Sequence, residues 1–214
     1  MRIPNHIGVI PDGNRRWAVE HELTKEMGYV NGLLPGLKLF KCCEEAGIKE
    51  LTFYGFTVDN TKRPAIQKEA FTTACIKAVE MLLKENASLL VVGNYDSPMF
   101  PKELLPFTKR TNIGKGGMKI NFLVNYGWEW DLMNLKETQG NSRNSIYKNL
   151  KSHDISRVDL LIRWGGRRRL SGFLPVQSVY SDFYVIDDMW PDFSKSQFNN
   201  ALDWYNKQDV TLGG

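Results

Sequence analysis

Residues 10–17 of the chain read Ile10-Pro11-Asp12-Gly13-Asn14-Arg15-Arg16-Trp17. They follow an apolar, strand-like run over 6–10, and a helix-like segment comes directly after them. A carboxylate, a glycine and two arginines therefore stand at the carboxyl end of a strand. In open α/β sheets phosphorylated ligands bind at such ends, because the next helix directs unpaired N–H groups toward them. The stretch predicts an α/β sheet with a diphosphate site.

A second turn, over residues 163–174, has the same character. It follows the apolar run 158–162 and combines two adjacent glycines with four arginines within seven residues. Glycine lets the backbone approach an anion closely, and planar guanidinium groups bind phosphate oxygens in pairs. A solvated basic loop or a nucleic-acid patch would explain this turn alone equally well. Two such turns, each ending an apolar strand, favour phosphate binding.

Apolar runs and helical patterns alternate along the chain without repeats or a linker. Such alternation is typical of parallel strands joined by helical crossovers. We expect residues 1–214 to form a single α/β domain with a central parallel sheet of about six strands flanked by helices. The expected strands are 6–10, 51–57, 89–93, 118–124, 158–163 and 182–186, and the expected helices are 29–46, 66–86, 101–110, 128–137, 142–152 and 195–205.

The composition favours one soluble domain with an anionic ligand. The chain has 214 residues, 42% of them apolar, and a formal net charge of +4. This apolar content supports a substantial core, and the charge is too small for a nucleic-acid partner. We expect neither a leader nor a membrane span, because the first residues lack a basic-then-apolar pattern and no apolar run reaches the necessary length. Because Cys42, Cys43 and Cys75 show no metal or redox spacing, we expect a cytoplasmic protein with reduced thiols.

Five motifs together have the order of one enzyme family. They are Asp12-Gly13-Asn14-x-Arg16-Trp17, Asn60-x-x-Arg63-Pro64, Asn125-Tyr126-Gly127, the arginine-rich glycine turn, and Trp190-Pro191-Asp192-Phe193. The chain resembles the cis-prenyltransferases, the family of undecaprenyl diphosphate synthase, from about residue 7 to residue 204 and in its terminal Gly213-Gly214. The resemblance implies the cis-prenyltransferase fold, a hydrophobic tunnel walled by the helices after the first two strands, and a homodimer.

The resemblance also implies a reaction. An allylic prenyl diphosphate would be joined to a second isoprenoid diphosphate, isopentenyl or dimethylallyl, with release of pyrophosphate. Preorganised arginines, backbone N–H groups and Mg²⁺ would stabilise the departing pyrophosphate. Mg²⁺, the expected cofactor, needs only one or two protein carboxylates beside phosphate oxygens and water. An apolar tunnel would keep water from the carbocation, and a lipid product would allow peripheral membrane association.

Motif position implies the roles of the site residues. By resemblance, Asp12 is the central catalytic residue and a magnesium ligand, and Asn60 and Arg63 are the other catalytic residues. Asp182 stands where the family usually has a metal-binding glutamate, and it is the second expected metal ligand. The expected substrate-binding residues are Gly13, Asn14, Arg15, Arg16, Lys25, Tyr29 and Thr57, with Arg163, Arg169 and Ser171 for the homoallylic diphosphate.

Several positions depart from the family pattern. A family histidine is replaced by Tyr29, an arginine by Lys25, a tryptophan by Thr61, an acid after the paired glycines by Arg167, and an asparagine by Gly172. Arginine in place of an acid reverses a charge beside the expected homoallylic diphosphate. The pattern favours an active enzyme with an altered second-substrate site.

Three functions stay open at this point. The first is coupling, either head-to-tail elongation or an irregular head-to-middle condensation of lavandulyl type, which the Arg167 and Gly172 changes slightly favour. Compact segments near Asn86 and between 125 and 163 favour a short-chain product. A terpene synthase or cyclase on the same fold would have less use for the second diphosphate site. A non-catalytic partner subunit would typically have lost the Asp-Gly-Asn motif, which is intact.

Other side chains are expected to have structural roles. The apolar stripe of the helix 66–86 fits core and tunnel equally well. We expect Trp17, Trp190 and Phe193 to pack in the core. We expect the histidines at the surface or at a strand edge (His6, His21 and His153) and several cations in solvent (Lys62, Lys109, Arg110 and Lys115).

Overall fold

The computed structural model describes residues 2–137 and 142–209. Within them, seven strands form one sheet. They are β1 (His6–Ile10), β2 (Glu50–Tyr54), β3 (Ala87–Val92), β4 (Thr111–Ile113), β5 (Lys119–Leu123), β6 (Leu160–Arg163) and β7 (Asp182–Val185). Their order is β4-β3-β5-β2-β1-β6-β7, and only the β3–β4 pair among them is antiparallel. The expected Gly213-Gly214 ending lies outside the described residues.

Helices flank the sheet, as the alternation of elements predicts. They are α1 (Asn14–Glu20), α2 (Lys25–Asn31), α3 (Leu33–Glu45), α4 (Ala65–Leu82), α5 (Trp128–Asp131), α6 (Arg143–Lys148) and α7 (Lys195–Asn206). Short 3-10 turns occur at Val58–Lys62, Lys102–Phe107, Met133–Glu137 and Trp190–Asp192. The α/β fold class inferred from the sequence is therefore confirmed.

The interior strand β1 lies between two apolar layers. Every residue of β1 is buried, as expected of a parallel strand covered on both faces. Ile7 and Val9 point into the larger core, whereas Ile10 points into a smaller core on the opposite face with Tyr54 and Leu123. The larger core includes the inward residues of α3, α4 and α7. Successive side chains of one strand thus supply both layers.

The elements differ from the sequence expectations at several boundaries. β4 was not expected, because its three residues, of which Asn112 is exposed, carry little apolar signal. The expected helix 101–110 is a 3-10 turn containing Pro106, which cannot donate a helical hydrogen bond. The expected helix 29–46 is divided between α2 and α3 at Gly32. A Cβ on Gly32 would lie 2.5 Å from Asn14 Oδ1, so this position of the break brings the chain close to the Asp12 turn.

The expected solvent exposure of two side chains, His6 and Arg110, is wrong, since His6 is buried and Arg110 is half-buried. His6 is fully buried, and its Nε2 lies 2.8 Å from Thr52 Oγ1. Asn121 donates to both Thr52 Oγ1 and Glu50 Oε1 at 2.8 Å, and Arg110 donates to Asn121 Oδ1 at 2.8 Å. These side chains form a polar network at the amino end of the strands. Because its members are far apart in sequence, only the strand register reveals that they satisfy one another.

Candidate active site

The Asp12 turn leaves the carboxyl end of β1 and enters α1. The Asp12 N–H donates to Ile10 O at 2.9 Å, and the Gly13 N–H donates to Asp12 Oδ1 at 2.7 Å. Gly13 has a φ of +100°, and a Cβ there would lie 2.8 Å from Met189 Cβ. Trp190, which is buried as expected, donates its backbone N–H to Asp12 O at 3.0 Å. Glycine is required here for both backbone conformation and space.

Arg163 joins this turn to the end of the neighbouring strand. In the sheet register Ile10 lies beside Arg163, and Arg163 Nη2 donates to Asp12 Oδ2 at 2.8 Å. The Arg163 residue is 4% exposed, whereas the Asp12 side chain is 35% exposed. Arg16 Nη2 lies 3.9 Å from Asp12 Oδ1 and donates to Gly165 O at 2.7 Å. The carboxylate is thus held between two guanidinium groups and keeps one side open to solvent.

The glycine turn after β6 packs directly on the Asp12 turn. A Cβ on Gly165 would lie 2.6 Å from Arg16 Nη2 and 3.0 Å from the Asp12 carbonyl carbon. Gly165 has a φ of +82°, in the left-handed region that glycine adopts without strain. Farther along the turn, Arg163 Nη1 donates to Ser171 Oγ at 2.9 Å and to the carbonyl of Arg169. Both sequence-predicted turns therefore form one site.

The third wall is the segment after β2. Thr57 begins the Val58–Lys62 turn, and its N–H donates to the Asn60 side chain at 3.3 Å. Arg63 follows the turn and donates to the Tyr29 hydroxyl at 3.0 Å. Its guanidinium carbon lies 5.7 Å from the centre of the Phe71 ring. Burial raises the pKa of the Tyr29 phenol, and burial lowers the pKa of the Arg63 guanidinium.

These walls enclose an open crevice of about 700 Å³. All of the expected site residues except Asp182 line it: Asp12, Gly13, Asn14, Arg15, Arg16, Lys25, Tyr29, Thr57, Asn60, Arg63, Arg163, Arg169 and Ser171. Among the described lining residues, six are cationic and three are acidic (Asp12, Glu20 and Asp59). The excess of cations suits a ligand with several negative charges.

An apolar cavity of about 120 Å³ opens from this crevice between the sheet and helices α2 to α4. The two spaces share Pro11, Asn14, Tyr29, Gly55 and Phe71. The remaining lining includes Leu33, Leu37, Phe53, Ala74, Met81, Phe122 and Trp190. A polar, cationic entrance therefore leads into a space from which charged groups are absent among the described lining residues.

The apolar stripe of α4 divides between the cavity and the core. Phe71, Cys75, Ala78 and Leu82 line the cavity, whereas Val79 is buried in the core and Leu83 is 43% exposed. The cavity-lining positions recur at intervals of four, three and four residues, which places them on one helix face. Both interpretations of the stripe were thus partly correct.

Asp182 does not reach the crevice. It begins β7 beside Leu160, three residues before the level of Arg163, and pairs with Arg2 at 3.6 Å. Three strand residues span about 10 Å, whereas two ligands of one Mg²⁺ lie about 2 Å from it. In one chain, Asp12 and Asp182 therefore cannot share an ion. The expected strand 182–186 already places Asp182 at the amino end of a parallel strand, so the metal role implied by resemblance conflicts with the predicted sheet.

Arg167 and Gly172, two positions that depart from the family pattern, do not line the crevice. Arg167 is exposed to solvent. Gly172 has a φ of +79°, and a Cβ there would lie 3.0 Å from Trp128 Cδ1. The charge reversal that the sequence places at the second diphosphate thus has no support from this geometry.

Some lining residues were not anticipated. Tyr54 ends β2 and faces the crevice, and Gly55 lies where the crevice meets the cavity. The expected strand 51–57 includes both residues, and no site role was predicted for them. Their position at the carboxyl end of a parallel strand, at the same sheet edge as Asp12, is the signal that could have identified them.

The carboxylate of Asp12 fits a role in binding Mg²⁺ together with a diphosphate. The described residues contain no cluster of three or more His, Cys, Asp or Glu side chains at metal-binding distance. Mg²⁺ commonly binds through one or two carboxylates and substrate phosphates, and the open side of Asp12 suits this arrangement.

In the described part of the chain, no helix is both long and apolar enough to cross a bilayer.

Comparison with known proteins identifies the family. The profile of the family described as "Putative undecaprenyl diphosphate synthase" matches residues 10–213. An isoprenyl transferase of Streptococcus thermophilus is 34% identical, over 99% of this chain and 94% of its own. The ditrans,polycis-undecaprenyl-diphosphate synthase of Escherichia coli, (2E,6E)-farnesyl-diphosphate specific, is 30% identical over 98% of this chain and 89% of its own.

The fold is shared with a solved plant structure. Lavandulyl diphosphate synthase from Lavandula x intermedia, in complex with dimethylallyl diphosphate, superposes with a TM-score of 0.87 over 99% of both chains. Its sequence is 21% identical, so this likeness concerns the fold alone. The motifs, the fold and the matching relatives agree. The chain belongs to the undecaprenyl diphosphate synthase family of prenyltransferases.

Proposed function

We propose that this protein joins an allylic prenyl diphosphate to a second isoprenoid diphosphate and releases pyrophosphate, with Mg²⁺ as cofactor. The observation that carries the proposal is the continuity of a cationic crevice with an apolar cavity through five shared residues. A prenyl diphosphate has the same two parts, an anionic head and an apolar tail. The crevice also has cations on two walls, which suits two diphosphates.

The proposed chemistry begins with cleavage of the bond between the allylic carbon and its diphosphate oxygen. Donors on the Asp12 turn and Arg63 would hold the departing pyrophosphate, whose charge increases as the bond breaks. Bound Mg²⁺ would add a cationic charge at the diphosphate oxygens, held by Asp12. Because these groups are already placed by the fold, little reorganisation is required when charge develops.

Bond formation would follow at the junction of crevice and cavity. Arg163, Arg169 and Ser171 would hold the second diphosphate so that its alkene faces the allylic carbon. The alkene attacks that carbon, a carbon–carbon bond forms, and a proton is lost from the second substrate. Phe71 and the cavity beyond it would exclude water, which would otherwise capture the cation.

We infer that the product is short. A buried apolar cavity of about 150 Å³ holds one benzene molecule. The cavity described above has about 120 Å³, close to the size of a single isoprenoid unit. A long polyprenyl chain would need more apolar space than this cavity offers. Since Arg167 lies outside the crevice, head-to-middle coupling has no structural support beyond the shared fold with lavandulyl diphosphate synthase.

One assay tests this function. Purified protein is supplied with labelled isopentenyl, dimethylallyl and longer allylic diphosphates, with and without Mg²⁺, and the products are identified by mass spectrometry and NMR. We expect a short prenyl diphosphate that forms only with Mg²⁺ and isopentenyl diphosphate. Coupling from dimethylallyl diphosphate alone would indicate the irregular reaction. A hydrocarbon or alcohol from one substrate, or no turnover at all, would refute the proposal.

A further inference from the structure

Tyr54 is a buried crevice residue without a role in the site described so far. It ends β2, is 8% exposed, and donates its hydroxyl to Ser171 O at 2.8 Å. Its ring packs edge-on against Phe173 and Tyr126, with centroid distances of 5.4 and 6.2 Å. In the sheet, β1 lies between β2 and β6, so the side chain reaches over β1 to the glycine turn.

The carbonyl that Tyr54 binds belongs to an unusual piece of backbone. Ser171 has a φ of +52° and Gly172 a φ of +79°, so two successive residues are in the left-handed region. Such a conformation is uncommon for serine and persists only where surrounding contacts hold it. Ser171 itself is exposed, whereas Tyr54 is buried and packed against two aromatic rings, so Tyr54 offers Ser171 O a donor in a fixed position.

The orientation of Ser171 matters because Arg163 depends on it. Ser171 Oγ accepts a hydrogen bond of 2.9 Å from Arg163 Nη1, while Nη2 of the same guanidinium binds Asp12. A rotation of the Ser171 peptide would move Oγ away from Arg163. Tyr54, Ser171, Arg163 and Asp12 therefore form a continuous chain of contacts from β2 to β1.

We propose that Tyr54 is a positioning residue for the second diphosphate. Its hydroxyl holds the Ser171 peptide so that Ser171 Oγ and the Arg163 guanidinium face the crevice together. This inference rests on the proposed function, in which that turn binds the second substrate. Burial raises the pKa of the Tyr54 phenol, so the hydroxyl stays protonated and available as a donor at neutral pH.

The test compares two buried tyrosines. Tyr54→Phe removes the bond to Ser171. Tyr126→Phe removes a hydroxyl that donates to Asp131 at 2.7 Å and lies outside the crevice lining. We expect Tyr54→Phe to raise the KM for isopentenyl diphosphate about five- to tenfold, the effect of one hydrogen bond. The KM for the allylic substrate should stay within about twofold, and Tyr126→Phe should leave both values near wild type.

Calorimetric binding of isopentenyl diphosphate provides a measurement that needs no turnover. The Kd should rise in Tyr54→Phe by the same factor as the KM. The wild-type protein could bind isopentenyl diphosphate without forming any coupled product. In that case the proposed function is refuted, but the Kd of Tyr54→Phe still tests the positioning role of Tyr54. If Tyr54→Phe lowers only the melting temperature, or if both variants weaken binding equally, the positioning role is refuted.

A double-mutant cycle identifies the route of the effect. Ser171→Ala removes Oγ, and with it the acceptor that Tyr54 is proposed to place beside Arg163. In the Ser171→Ala background, Tyr54→Phe should change the Kd by less than about twofold, because coupled residues are not additive. If the Kd of the double variant rises by the product of the two single-variant factors, Tyr54 acts independently of Ser171 and the proposal is refuted.

Discussion

Asp12 is the residue on which the site is built. One carboxylate oxygen accepts the Gly13 N–H, and the other accepts from Arg163. Both partners lie at the ends of neighbouring strands, so the carboxylate position follows from the sheet. The side chain keeps about a third of its surface exposed on the crevice side. This combination of rigid support and access is what a group acting on a bound diphosphate requires.

Replacing Asp12 by Asn should abolish most turnover without unfolding the protein. The amide retains the size of the side chain but removes its charge and its affinity for Mg²⁺. We expect kcat to fall about 100-fold or more, the usual effect of losing a group that stabilises transition-state charge. Product formation and a thermal unfolding curve measure the two effects. Asp203→Asn, an exposed change on α7, is the control, and a near wild-type rate for Asp12→Asn would contradict the assignment.

His6 predicts a pH dependence of stability. Burial lowers its pKa in the folded protein, although the nearby Glu50 acts in the opposite direction. The unfolded chain takes up a proton near pH 6.5, whereas folded His6 does so only at lower pH. Below about pH 6.5 the unfolded state therefore binds more protons, and the free energy of unfolding falls as the pH falls toward the folded pKa.

Urea unfolding of wild type and His6→Gln at pH 7.5 and 5.5 tests this dependence. The variant should be less stable at pH 7.5, because the contact with Thr52 changes, but it should lose less stability on acidification. Comparing the two proteins removes the contribution of groups common to both. Equal losses in both proteins would show that His6 does not titrate as proposed.

At the scale of elements, α4 forms the outer wall of the cavity. Phe71, Cys75, Ala78 and Leu82 project from one face of this helix toward the strands. Burial raises the pKa of the Cys75 thiol to about 12, consistent with an environment that excludes water. The width of the cavity therefore depends on side-chain size along this face.

Ala78→Leu should narrow the cavity and change chain-length preference. The larger side chain occupies space that a prenyl tail would need, so longer allylic substrates should be disfavoured more than dimethylallyl diphosphate. We expect kcat/KM for a farnesyl substrate to fall about tenfold relative to that for the dimethylallyl substrate, within the range for a few misplaced methylenes. Thr73→Leu, on the exposed face of α4, is the matched control. If the ratio of the two kcat/KM values stays the same in Ala78→Leu, the cavity does not determine the preferred substrate length.

At the scale of the whole molecule, one chain holds Asp12 and Asp182 at opposite ends of its sheet. The segment before Asp182 exposes Val179 and Tyr180, which are 62% and 57% accessible. We propose that these exposed apolar side chains belong to the interface of the homodimer that the family resemblance implies. A role of Asp182 in metal binding requires that a second chain bring it to the crevice.

Mixing two inactive variants tests this dimeric site. If Asp12 of one chain works with Asp182 of its partner, a dimer of Asp12→Asn and Asp182→Asn chains contains one intact site. Random mixing in a two-fold dimer should then restore about a quarter of wild-type activity. Light scattering of each variant checks the dimer. Full activity of Asp182→Asn alone, or no recovery on mixing, would refute the metal role of Asp182.

Local sequence features were sufficient for the fold class and for the turns at Asp12 and Arg163, whereas the other crevice residues were named through the family resemblance. Buried parallel strands have continuous apolar runs, and functional residues follow them at the carboxyl ends, so order along the chain predicts a shared edge. The turns at Asp12 and Arg163 were recognisable because glycine and arginine have specific roles beside anions. The helix boundary at Gly32 was not predictable, since it depends on how closely the Asn14 side chain lies to the Gly32 backbone.

Tertiary structure alone placed His6 and Tyr54, and it confirmed that Asp182 begins its strand. Their roles depend on strand register and on which face each side chain occupies, and neither quantity is encoded in a short stretch of residues. Asp182 lies at the amino end of β7, His6 lies within a buried network, and Tyr54 reaches across β1 to Ser171. Contacts between residues over a hundred positions apart arise only when the sheet assembles. For that reason the residues of the site were readable from the chain, whereas their supports were not.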